Sequence, residues 1–126
     1  MEYNPFLAMG HYNERNIMSD DFIAKVAFNA DGLVPVIAQR FGTGEVLMMA
    51  WMNREALIES MKTGHMTYWS RSRGKLWRKG ETSGNIQRLR EMLVDCDGDT
   101  LLAKVDQQGP ACHTGAANCF FTPLKL

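Results

Sequence analysis

The sequence predicts a mainly β, single-domain protein (α+β by content) with one clear helix, and three observations carry that prediction. The chain has 126 residues, room for one compact domain and none for a second of ordinary size. From Asp31 onward, short apolar runs with strand chemistry recur between glycine-containing turns. Only one stretch carries both a helix start signal and a helix stop signal. Composition agrees: 45% hydrophobic and 22% charged residues exclude a disordered tail, a coiled coil and a fibrous repeat.

Taken in chain order, residues 1–20 read as a polar N-terminal extension, with Glu2, His11, Glu14, Arg15 and Asp20 among isolated apolar residues. No basic start leads into an apolar stretch, so a secretory signal is not expected and the cytoplasm is. Residues 21–126 form the domain. Leu33 to Phe41 is apolar and β-branched around Pro35. Proline donates no ladder hydrogen bond, so either the strand lies at a sheet edge or Pro35 stands at its start. Gly42-Thr43-Gly44 reverses the chain, and Glu45 to Met52 returns as the hairpin partner. Asn53 is an N-cap for a helix to about Thr63, with Glu55 in the first turn, Gly64 past the end, and Leu57 and Met61 on one buried face. Met48, Met49, Met52 and Met61 read as core filler. His65 to Ser70 and Lys75 to Lys79 are strands around Ser72-Arg73-Gly74. Ile86 to Cys96 fits a strand better than a helix, Leu101 to Gln107 alternates as a half-buried strand does, and Cys119 to Leu124 reads as a final short strand.

Charge and hydropathy remove whole classes of function. Fourteen basic and fourteen acidic side chains cancel, whereas a general nucleic-acid coat protein draws its affinity from a net basic surface. The longest apolar run, Val46 to Met52, falls far short of the ~20 residues of a membrane span. Neither nucleic acid nor membrane is an expected partner.

Chemistry concentrates in three places. Asp95-Cys96-Asp97-Gly98-Asp99 puts three carboxylates at alternate positions around a turn glycine, where like charges repel. They either fan into water or hold a hard cation such as Mg2+. The spacing is not that of an EF-hand, because Asp106 occupies the position of the loop's last glutamate. Gly109-Pro110-Ala111-Cys112-His113-Thr114-Gly115, followed by Cys119, combines thiols with a histidine. With Cys96 they form either a three-sulfur zinc set with an open fourth position or three unrelated buried residues, and the lack of a CxxC pair disfavours a structural zinc ribbon. The run from Ser70 to Asn85 places five basic residues, Arg71, Arg73, Lys75, Arg78 and Lys79, between Arg71 and Lys79 with no acid in that stretch. It is either a solvated basic hairpin, a phosphate cradle helped by Ser72, Thr82, Ser83, Gly84 and Asn85, or a single-strand platform using Trp77.

These stretches, with Val46 to Leu57, occur in one order over about residues 28–121, and as a set the sequence resembles the phosphoribosyl-AMP cyclohydrolase family. The resemblance implies a hydrolase of histidine biosynthesis that opens the purine ring of 1-(5-phosphoribosyl)-AMP at the C6–N1 bond with zinc-activated water. It implies a monofunctional form, since the chain is too short for the pyrophosphohydrolase domain often fused to this one. It implies a β-rich pseudobarrel and an intimate homodimer, with one Zn2+ per subunit held by Cys96 of one chain and Cys112 and Cys119 of the other, and Mg2+ on Asp95, Asp97 and Asp99. In that setting His113 moves protons as the catalytic residue, and the substrate-binding candidates are Arg71, Ser72, Arg73, Lys75, Trp77, Lys79, Glu81, Thr82, Ser83, Gly84 and Asn85. Two rival functions share the same residues. A zinc nucleobase deaminase carries His-x-Glu and Pro-Cys-x-x-Cys, but here Ala111 separates Pro110 from Cys112, and Cys119 lies too far on. A zinc-stabilised nucleic-acid module would use Arg71 to Lys79 and Trp77.

Overall fold

The computed structural model describes residues 19–126, so most of the expected N-terminal extension lies outside the described residues. A short helix, α1 (19–24), leads into β1 (Val34–Arg40), β2 (Val46–Met52), α2 (Arg54–Thr63), β3 (Thr67–Ser70), β4 (Lys75–Arg78), β5 (Gln87–Val94) and β6 (Leu101–Gln107). The expected mainly β domain with one well-formed helix is therefore present, built as two open sheets: four strands in the order β2-β1-β6-β5, and the β3-β4 hairpin.

The hairpin of β1 and β2 runs in register from Val34↔Met52 to Ala38↔Met48, shifts by one residue before Gln39↔Val46, and is closed by hydrogen bonds from Arg40 N to Glu45 O (2.7 Å) and Gly44 N to Arg40 O (3.0 Å). Gly42 and Gly44 have φ of 93° and 82°, the left-handed backbone that this reversal needs. On its other side β1 pairs with β6 in parallel, starting at Val36↔Leu101. That overturns the edge-strand reading of Pro35: β1 is interior, and the proline is tolerated because it stands at the strand start, before the pairing with β6 begins.

Helix α2 follows its sequence signals at both ends. The Asn53 side chain accepts from Ala56 N (2.8 Å), and Gly64, at φ 77°, returns its N–H to Ser60 O (2.9 Å). Ala56, Leu57 and Ser60 are buried, and Met61 packs half-buried on the core. Ser60 is the polar member of that face. Its hydroxyl donates to Thr67 O (3.1 Å) and accepts from Thr67 N (2.8 Å), which joins the helix to the start of β3.

The core lies between the four-stranded sheet and α2 with β3, and it takes Val34, Val36, Ala38, Leu47, Met52, Leu57, Met66, Tyr68, Leu101, Ala103 and Val105. Burying each large aliphatic side chain stabilises the fold by about 1.5–3 kcal/mol. A carboxamide chain threads this apolar interior. The Tyr68 hydroxyl donates to Gln87 Oε1 (2.7 Å), Gln87 Nε2 donates to Gln107 Oε1 (2.8 Å), and Gln107 Nε2 donates to Asn85 O (3.3 Å). Two expectations fail here. Met48 and Met52 are buried, but Met49 is 41% exposed, because adjacent residues of a strand point to opposite faces. Cys119 to Leu124 is not a strand. Within the protomer no described strand pairs with it, Pro123 removes a donor, and Phe120, Phe121 and Leu124 are exposed. No helix among the described residues is long and apolar enough to cross a membrane.

Candidate active site

The β5–β6 turn brings Asp95, Asp97 and Asp99 together, with a carboxylate oxygen of each within 4.8 Å of the others. Asp95 also builds the turn: its Oδ1 accepts from Asp99 N (3.0 Å) and Thr100 N (3.3 Å), and its carbonyl accepts from Gly98 N (3.1 Å). Gly98 has φ 81°, and a Cβ there would lie 2.4 Å from Lys25 O, so the chain leaving α1 packs directly on the turn. Asp95 and Asp99 are shifted in opposite directions. Burial works against ionisation of Asp95, but hydrogen bonds from the Asp99 and Asp97 carboxyls and the backbone amides outweigh it and hold Asp95 below the usual carboxylate range. The Asp97 and Asp95 carboxyls push Asp99 up. Cys96, in the same turn, is exposed.

A second loop holds the other two thiols. Ala111 N to Ala117 O (3.2 Å), Cys112 N to Ala116 O (3.2 Å) and Gly115 N to Cys112 O (3.0 Å) fold it on itself. Cys119 N donates to Leu47 O (2.8 Å), and Asn118 Nδ2 donates to Glu45 Oε2 (2.9 Å), which together fasten the loop to the start of β2. The Thr114 hydroxyl, donating to Cys112 Sγ at 3.1 Å, is the main cause that lowers the Cys112 pKa. Burial, and then the neighbouring Cys112 thiol, raise that of Cys119. The two sulfurs thus interact, and one ionises before the other. Cys96 joins neither: among the described residues the acidic triad is the sole cluster of three ligand-type side chains, so the three sulfurs do not converge within one protomer. His113, next to Cys112, is exposed.

The basic run forms the β3-β4 hairpin and the loop after it. Gly74 N to Ser70 O (2.8 Å) and Arg73 N to Ser70 Oγ (3.2 Å) close its tip, leaving Arg71, Ser72, Arg73 and Lys75 exposed. The Arg71 guanidinium lies 4.7 Å from the centre of the Trp51 ring. Trp77 packs on the core with its ring 5.1 Å from that of Tyr68. Glu81 accepts from Arg78 N (3.1 Å), a turn-closing bond. Lys79 turns inward: its ammonium donates to Ala111 O at 2.6 Å, and burial pulls its pKa down while the two nearby thiols act to raise it. Thr82, Ser83 and Gly84 form an exposed loop, and Asn85 returns to the thiol loop. Gly109 has φ 70°, the left-handed backbone that favours glycine, and a Cβ there would lie 2.4 Å from Asn85 Oδ1, so the two segments meet closely.

Sequence reasoning missed Trp51, Glu45 and Asn118. Trp51 sits in a run that reads as plain strand. Glu45 and Asn118 come from opposite ends of the domain, and no local pattern links them.

A family model described as phosphoribosyl-AMP cyclohydrolase matches residues 48–121, which contain all three clusters. The phosphoribosyl-AMP cyclohydrolase of Paramagnetospirillum magneticum is 67% identical over 103 residues, 82% of this chain and 78% of that one. That of Micrococcus luteus is 67% identical over 101 residues, 80% of each chain. That of Acidiphilium cryptum is 65% identical over 104 residues, 82% of this chain and 90% of its own. With an acidic triad, a paired-thiol loop and a basic hairpin inside a span so widely shared, the chain belongs to the phosphoribosyl-AMP cyclohydrolase family.

Proposed function

We propose that this chain hydrolyses 1-(5-phosphoribosyl)-AMP at the C6–N1 bond, opening the purine ring in a step of histidine biosynthesis. The observation that carries the reading is the pairing of Cys112 and Cys119 in one loop, where the Thr114 hydroxyl donates to Cys112 Sγ at 3.1 Å and favours its thiolate. Such a soft donor pair fits zinc, and the exposed Cys96 of a second copy is free to complete the set in a homodimer. The carboxylates of Asp95, Asp97 and Asp99 fit Mg2+, since their mutual repulsion is what a hard cation relieves. Bound at the thiols, zinc supplies a Lewis acid that makes water a competent nucleophile near neutral pH.

The chain's own side chains do the rest. His113, exposed beside Cys112, takes the proton of the water that attacks C6. It returns that proton to N1 as the C6–N1 bond breaks, and the water's other proton passes to the exocyclic imino nitrogen of the neutral substrate, which stays on C6 as the amide nitrogen of the product. Arg71, Arg73 and Lys75, with Ser72, Thr82 and Ser83, bind phosphate oxygens from the exposed hairpin and loop. Asn85 and Glu81 shape the loop that meets the thiols. Trp77 serves this site as packing under the hairpin. The three cysteines are unpaired, which suits the reducing cytoplasm, where we place the activity.

Metal analysis of the purified protein with a ring-opening assay, before and after strong chelation, tests the reading. Ring opening without ammonia release, lost together with zinc, is the expected result, and Cys112→Ser should lose both. Ammonia release would instead mark a deaminase, and full turnover in a zinc-free Cys112→Ser variant would refute the ligand assignment.

A further inference from the structure

The inward turn of Lys79 gives this residue a different task from that of its basic neighbours. Arg71, Arg73 and Lys75 are exposed at the hairpin tip, whereas Lys79 is half-buried and its ammonium is held at 2.6 Å by the carbonyl of Ala111, the residue that precedes Cys112. The backbone on both sides of it is also fixed. Lys79 N is bound to Met66 O (3.0 Å), and Gly80, at φ 81°, brings the chain so close to Asn85 that a Cβ would lie 2.5 Å from its backbone. An ammonium fixed in this way is not presented to solvent for a phosphate.

The geometry points to Lys79 as a positioning residue of the thiol site: a fixed positive charge that tethers the Cys112 loop and offsets the negative charge of its sulfurs. This rests on the zinc reading given above. Zinc with three thiolates carries one net negative charge, and electron-rich sulfurs weaken the metal as a Lewis acid. One ammonium beside them brings the local sum to zero, and partial burial keeps the attraction from being screened away as it is at an open surface. The same lysine acts electrostatically on both Cys112 and Cys119. Groups of this kind around a metal typically alter its affinity by about 10–100-fold when replaced.

The test separates charge from tether. Lys79→Gln keeps a hydrogen-bond donor for Ala111 O and removes the charge, while Lys79→Arg keeps both. Zinc affinity is read by chelator competition in the full-length wild type and both variants, after thermal melting of the metal-free proteins shows that each is folded. The expected result is zinc binding weakened about 10–100-fold in Lys79→Gln and restored to within about threefold of wild type in Lys79→Arg. Wild-type affinity in Lys79→Gln overturns the inference, as does an equal loss in both variants. Should Lys79→Gln fail to fold, Lys79→Met, which suits the half-buried stem and removes charge and donor together, takes its place, and wild-type zinc affinity in it overturns the inference. A wild-type protein that binds no zinc would instead bring down the zinc reading itself.

Discussion

Cys112 and Cys119 share a loop and yet differ as acids, because one receives the Thr114 hydroxyl at 3.1 Å while the other is opposed first by burial and then by its partner. The site is thus graded residue by residue, and His113 is its most separable member. It is exposed beside Cys112, and none of the hydrogen bonds that fold the loop uses its imidazole. A surface side chain with no such bond is replaced at a stability change within about 0.5 kcal/mol. His113→Ala should therefore melt like the wild type and keep its zinc, while kcat falls by ~10²–10⁴-fold, the usual contribution of a general acid–base. Melting curves, metal analysis and steady-state kinetics on one preparation decide this. An unchanged kcat would return His113 to a structural place in the loop.

The β5–β6 turn shows two aspartates doing opposite things for the fold. Asp95 accepts the Asp99 and Thr100 amides and titrates below the ordinary range, so its contribution is present above the unfolded-state pKa and disappears as pH falls through the lower folded value. Asp99 is raised by its neighbours, so the folded protein keeps a proton that the unfolded chain has released. Stability is therefore lost as pH rises from the ordinary carboxylate pKa through the raised one, and at neutral pH the turn carries repulsion. Mg2+ should raise the Tm of the wild type at neutral pH. Asp99→Asn should melt higher than the wild type without metal and respond less to Mg2+, whereas Asp95→Ala should melt lower in either condition. A Tm indifferent to Mg2+ would leave the triad a solvated turn. Elements whose causes are local were legible in the sequence: Asn53 and Gly64 bracket α2, and Gly42-Thr43-Gly44 turns β1 into β2. The three carboxylates were legible as a cluster because one turn holds them. What depends on distant partners was not. Neither the parallel pairing of β1 with β6, nor the Glu45–Asn118 bond, nor the inward course of Lys79 has a pattern within a few residues. Cys119 to Leu124 has strand composition but, among the described residues of the protomer, no strand beside it.

At the scale of the whole molecule, the thiols and the apolar surface point the same way. Two sulfurs meet in one loop and the third stands exposed in the acidic turn. Phe120, Phe121, Leu124 and Leu126 are exposed directly after Cys119, with Met49 and Val46 exposed on β2. Apolar side chains exposed next to the thiol loop, with a third thiol standing apart from the other two, are what a second copy of the chain would cover and bring together. If each zinc takes Cys96 from one subunit and Cys112 with Cys119 from the other, inactive variants must complement each other. Cys96→Ser and Cys112→Ser homodimers each lack a sulfur at both sites. In the mixed dimer both substitutions fall in the same site, and the other site keeps all three sulfurs. Random assortment makes about half of the dimers mixed, so co-expression of equal amounts should recover about a quarter of wild-type activity and zinc content. The readout is ring opening and bound zinc in the co-purified mixture against each variant alone. A site whose three sulfurs came from one chain gives no recovery at all, and activity in Cys96→Ser alone would remove Cys96 from the set.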